Sequence, residues 1–129
     1  MKAVALAVVA LALTACAAPP MPVAVPAPGG LQCGPQQYPF HALQEYRRGQ
    51  VVVRAQVGAH GTLVNPVVEQ SSSDSYLDAG ALDAMHHCRM PAQAPGTVVR
   101  LVVVYDLMNG DDYLPRGIVT VLPAPPLVK

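Results

Sequence analysis

The chain has no surplus of either charge. Eight Lys and Arg stand against eight Asp and Glu with no block of like sign, so nothing draws it electrostatically to nucleic acid. It has no apolar run long enough to span a membrane: the stretch from Ala3 to Leu13 falls well short of the ~20 residues a spanning helix needs. It lacks the Gly-x-Ser-x-Gly elbow of serine hydrolases and the C-x-x-C pair of thiol oxidoreductases. It also lacks a phosphate loop, because the nearest Gly-rich stretch, Gly58 to Thr62, is followed by neither Lys nor a helix. The paired acids Asp111 and Asp112 follow the turn signal Asn109-Gly110 and read as solvated, without the spacing of a glycosidase or a calcium loop. No internal repeat is visible. These absences leave one small domain in 129 residues, with no mark of an enzyme and no call for a cofactor.

What is present begins with a leader. Lys2 followed by the short apolar run reads as a signal peptide over residues 1–15. Its end, Leu13-Thr14-Ala15-Cys16, resembles the lipobox of bacterial lipoproteins. That resemblance implies lipid on Cys16, whose acyl chains add ~0.8 kcal/mol of membrane affinity per buried CH₂. By the same resemblance the uncharged Ala17 favours the outer membrane. Plain secretion with an incidental cysteine is the alternative. Residues 16–32 form a Pro- and Ala-rich tether, and its stretch from Ala17 to Gly30 reaches roughly 40 to 45 Å at ~3.1 Å per residue.

With Cys16 assigned to lipid, Cys33 and Cys88 remain as an even pair for an oxidising compartment. A disulfide between them is the simplest expectation. It closes a loop of about 55 residues, worth roughly 4 kcal/mol in the chain-entropy account. A redox-active pair is the alternative, disfavoured by the spacing.

Within residues 33–109 the pattern predicts a helix, a hairpin, a second helix and a strand. The first helix starts near Pro39, with Ala42, Leu43 and Tyr46 on one face, Arg47 and Arg48 at its C-terminal end and Gly49 as its stop. In the first strand Val51, Val53, Ala55 and Val57 alternate with Val52, Arg54 and Gln56. Gly58 to Gly61 is the hairpin turn, and Pro66 predicts that the run from Leu63 to Glu69 bulges or lies at a sheet edge. Ser75 with Asp78 resembles a capping box; Leu77, Ala81, Ala84, Met85 and Cys88 make one helical face, stopped by Pro91. The last strand covers residues 97–107. Val99, Leu101, Val103, Tyr105 and Leu107 lie on one side, and Val98, Arg100, Val102, Val104 and Asp106 on the other, facing solvent or a partner. Residues 110–129 form a Pro-rich tail with one short β-like run, Ile118 to Leu122.

Two clusters invite a chemical reading. His86, His87, Cys88 and Met90 look like soft-metal ligands, but neighbouring helical residues point about 100° apart, so solvent-facing histidines at a helix end are favoured and no metal is assigned. Ser71 to Asp74 reads as a helix cap rather than a catalytic group.

The ordered set Tyr38-Pro39, Ala42, Gly49-x-Val51-x-Val53, Gly61, Ser71-Ser72, Leu77-Asp78 through Ala84-Met85, and "CRMPAQAPG" from Cys88 resembles the C-terminal domain of the TonB family. The resemblance implies an α+β fold: a small two-layer domain with a three-stranded antiparallel sheet packed against two helices. It also implies that the last strand lies at a sheet edge and accepts an extended segment of a partner by β-strand addition. Residues Val98, Val99, Arg100, Leu101, Val102, Val103 and Val104 are the expected binding strand. The expected partner is a segment of an outer-membrane or other envelope protein, and a strand-exchanged homodimer is a further expectation. A standard energy transducer of this family has an inner-membrane helix and a long spacer, whereas this chain has a leader and a short tether. Its expected place is the periplasm, lipid-anchored to the outer membrane. Three readings stay open: a strand-capturing module, a component of energy-dependent outer-membrane transport, and a structural envelope protein whose tail caps its own sheet edge.

Overall fold

The computed structural model describes residues 30–108 and 115–125. Its elements are β1 (Gln32–Cys33), α1 (Phe40–Gln44), β2 (Gly49–Val57), β3 (Leu63–Gln70), α2 (Ser75–Ala84), β4 (Cys88–Arg89), β5 (Val98–Met108) and β6 (Arg116–Pro123). An antiparallel sheet in the order β3-β2-β5-β6 packs one face against the helices, and β1 pairs with β4 in a separate two-residue ladder. The α+β architecture is the expected one. The sheet has a fourth strand, because the tail folds back along β5.

Period-2 alternation builds the core. Val51, Val53, Ala55 and Val57 of β2 meet Leu101, Val103 and Tyr105 of β5 on the inner face, together with Leu77, Ala81, Ala84, Met85 and Cys88. Each fully buried Val or Leu side chain contributes about 1.5–3 kcal/mol over exposure. Strand β3 both bulges and lies at an edge: its register with β2 shifts twice, the second time around Asn65 (φ 51°) and Pro66.

Three local expectations are corrected. The N-cap of α2 is Asp74, whose side chain accepts from the amides of Tyr76 (2.9 Å) and Leu77 (3.1 Å). Asp78 does not pair with Ser75. It reaches back to accept from the Ser72 amide (2.9 Å), the Ser72 hydroxyl (2.7 Å) and the Ser71 hydroxyl. Tyr46 lies outside α1, at φ 56° and 63% exposed, since the helix ends at Gln44. Finally, α2 stops at Ala84 and tightens through a 3-10 turn over Met85–His87, so Cys88 lies in extended chain rather than on the helix. Cys88 must be extended to stand opposite Cys33 in the β1–β4 ladder.

Candidate partner-binding edge

Strand β5 owes its length to eleven residues of mostly β-branched and apolar type, with no Gly or Pro to break it. On one side it pairs with β2 from Gly49–Tyr105 to Gln56–Val98. On the other it pairs with β6 from Leu101–Pro123 to Met108–Arg116, and the Ala124 amide donates to the Arg100 carbonyl (2.9 Å) beyond the ladder. The strand expected to be a free edge is therefore interior. Leu101, Val102, Val103 and Val104 have strand neighbours on both sides, Arg100 has its carbonyl taken, and Val98 and Val99 lie beyond the β6 ladder. The physical reason is that the tail run, read as short, extends over Arg116–Pro123 and fills the edge.

Side chains fix β6 unevenly. Val119 and Val121 turn inward, opposite Tyr105 and Val103, and are half-buried against the core. Ile118 and Leu122 point outward and stay 40% and 44% exposed. At the far end Gly117, opposite Leu107, lies directly against the Tyr38 ring: a Cβ there would stand 2.6 Å from the Tyr38 Cγ. Tyr38 itself is pinned. Its hydroxyl donates to the Arg47 carbonyl, and its ring meets Tyr105 edge-on at 5.3 Å. Burial, with the nearby Asp106 and Asp74 charges, pushes its phenol pKa up, so Tyr38 stays a neutral donor. Neither Tyr38 nor Gly117 is among the seven site residues expected from sequence. Gly117 stands just ahead of the run expected from Ile118, and only once the strand is extended to Arg116 does it become a glycine inside a strand, the signal of a close approach.

On the outer face, Arg100 reaches across β2 to Glu69 on β3, with contacts of 2.6 and 2.8 Å, and its other nitrogen donates to the Pro125 carbonyl (3.1 Å). The hydrogen bond from Arg100 holds the Glu69 carboxyl below its ordinary range. Arg100 thus ties β3 to the chain just beyond β6 across the outer face of the sheet.

The remaining candidates are placed as follows. Cys33 and Cys88 are joined in a disulfide between opposed residues of β1 and β4. His86 and His87 are exposed, while Cys88 and Met90 are buried, so the four side chains share no centre. Among the described residues no three His, Cys, Asp or Glu converge as a metal site, and no helix is long and apolar enough to cross a membrane. The Ser71–Asp74 cluster is taken up by the start of α2. Cys16, the leader, most of the tether, and the Asn109-Gly110 and Asp111-Asp112 pairs lie outside the described residues.

Comparison with curated proteins and with solved structures returns no match. Residues 34–105, more than half of the chain, match the family described as the C-terminal domain of the Gram-negative bacterial TonB protein. An inner sheet face packed on two short helices, the motif order from Tyr38-Pro39 to Cys88-Arg89 and that match together show that the chain belongs to the TonB C-terminal family, non-enzymatic, transport-associated domains of the cell envelope that interact with envelope or outer-membrane proteins.

Proposed function

We propose that this chain is a periplasmic binding module, held to the membrane through lipid on Cys16, that captures an extended segment of an envelope or outer-membrane protein by strand addition to β5, with β6 as the resident strand that yields. One observation carries the reading. The β5 edge already holds an extended segment through eight register pairs, and that segment comes from outside the family-matched region. A displacing segment would exchange one set of main-chain hydrogen bonds for another, so affinity rests on the difference in side-chain fit. Of the inward β6 side chains, Val119 and Val121 are only half-buried, which keeps that difference small.

The same ladder favours a second reading, in which β6 caps the edge permanently and the domain is structural. A photo-crosslinking residue in place of Val102 separates the two. The full chain is compared in envelopes with a chain truncated after Met108, folding being checked by circular dichroism. Capture predicts that one envelope protein crosslinks, about tenfold more once β6 is removed, and that a peptide of residues 115–125 competes it away. A folded, truncated chain that crosslinks nothing supports the permanent cap and ends the capture reading. Participation in energy-dependent uptake is a narrower form of the proposal; unchanged siderophore and vitamin uptake after gene deletion would count against it.

A further inference from the structure

We infer that Tyr38 is a specificity gate on the β5 edge: a segment that pairs there must bring glycine opposite Leu107 and branched apolar side chains opposite Tyr105 and Val103. The choice of partner rests on the capture reading above. The gate itself does not, because β6 already passes through it.

The geometry is steric. A Cβ at position 117 would stand 2.6 Å from Cγ and 2.9 Å from Cβ of Tyr38, closer than carbon atoms approach without one of them moving. Those are the root atoms of the side chain, so turning the ring about its own axis does not clear them. Moving the root means giving up the hydroxyl bond to the Arg47 carbonyl and the edge-on contact with Tyr105. It also means shifting the chain just ahead of Pro39, whose carbonyl accepts from the Leu43 amide at the start of α1 (2.9 Å). Toward the other end of the strand the demand reverses. Val119 and Val121 sit opposite Tyr105 and Val103 and pack against the core, where a smaller side chain leaves space unfilled. Ile118, Thr120 and Leu122 face outward and are exposed, so those positions are permissive. The edge therefore selects an extended envelope-protein segment running antiparallel to β5 with the pattern Gly-x-branched-x-branched, where branched means Val or Ile.

The gate is tested in the full-length oxidised chain by amide hydrogen exchange on four proteins: the parent, Gly117→Val, Tyr38→Ala, and the double variant. Gly117→Val should speed exchange across the protected β6 amides about tenfold or more, leaving the β2 amides unchanged. Adding Tyr38→Ala should bring β6 protection back to the level of Tyr38→Ala alone. Unchanged β6 protection in Gly117→Val, or a double variant that stays open, overturns the gate. A peptide of residues 115–125 and its Gly→Val counterpart are then titrated against the Gly117→Val chain by fluorescence anisotropy. The glycine peptide should bind about tenfold tighter, and the double variant should bind both alike. Equal binding of the two peptides to the chain that keeps Tyr38 overturns the selection rule. Binding of neither overturns strand capture at this edge, and the exchange result alone then decides the gate.

Discussion

Tyr105 is the largest of the fully buried side chains, and its hydroxyl has no hydrogen-bond partner among the described residues. It points at the backbone of Gly80 in α2, where a Cβ would stand 2.9 Å from the hydroxyl and 2.7 Å from the Pro39 Cγ. Burial, followed by the neighbouring Tyr38, Asp83 and Asp78, pushes the phenol pKa far up, so the group stays neutral. An unsatisfied buried hydroxyl costs about 1–3 kcal/mol. Tyr105→Phe should therefore leave stability unchanged or raise it by about 1 kcal/mol in urea denaturation, and a clear loss would mean that the hydroxyl has a partner. That Tyr105 points inward was legible from the alternation of residues 98–107. Its contact with Tyr38, and that of Tyr38 with Gly117, were not, because they join three segments that no local pattern relates.

The start of α2 shows how an element can be foreseen while its chemistry is reassigned. The Ser/Asp run announced a helix, yet which acid caps it depends on where the chain leaves β3, and Ser73 takes φ 71° there. Asp74 becomes the cap, and Asp78 fastens the preceding loop through Ser71 and Ser72. Burial alone would raise the Asp78 pKa, but the three hydrogen bonds from Ser71 and Ser72 outweigh it and hold the carboxyl below its ordinary value. The sign follows from linkage. A folded-state pKa below the unfolded one, near ~3.9, gives stability that is fully present above the unfolded value and is lost as pH falls through the folded one. Unfolding free energy should thus decline from about pH 5 toward pH 3. Glu69, lowered by Arg100, acts in the same direction. Asp78→Asn should lower stability at neutral pH and flatten this slope. An unaltered slope in a pH series of urea midpoints would remove Asp78 from the account.

At the scale of the whole molecule, the Cys33–Cys88 bond closes residues 34–87 into one loop, and its sequence separation is 55. The β1–β4 ladder it fastens is only two residues long, so most of its effect falls on the unfolded chain. Replacing both cysteines with serine should cost roughly 2–4 kcal/mol in chemical denaturation, and unchanged stability would defeat the loop-closure account. The two sheet edges also differ. Strand β3 is interrupted by Pro66 and two register shifts, whereas β6 has neither Pro nor charge between Arg116 and Pro123. Sequence alone determined the inward faces of β2, α2 and β5, the edge character of β3, the expectation that Cys33 pairs with Cys88 once Cys16 is set aside, and the family resemblance. Each is written in local periodicity, in a single proline, or in a count of residues. Only the tertiary structure decided that β5 is interior, that the tail is its neighbour, and that glycine must stand where β6 passes Tyr38. Strand order and steric fit arise between segments distant in the chain, and hydrophobic alternation is the same for an edge strand as for one flanked on both sides.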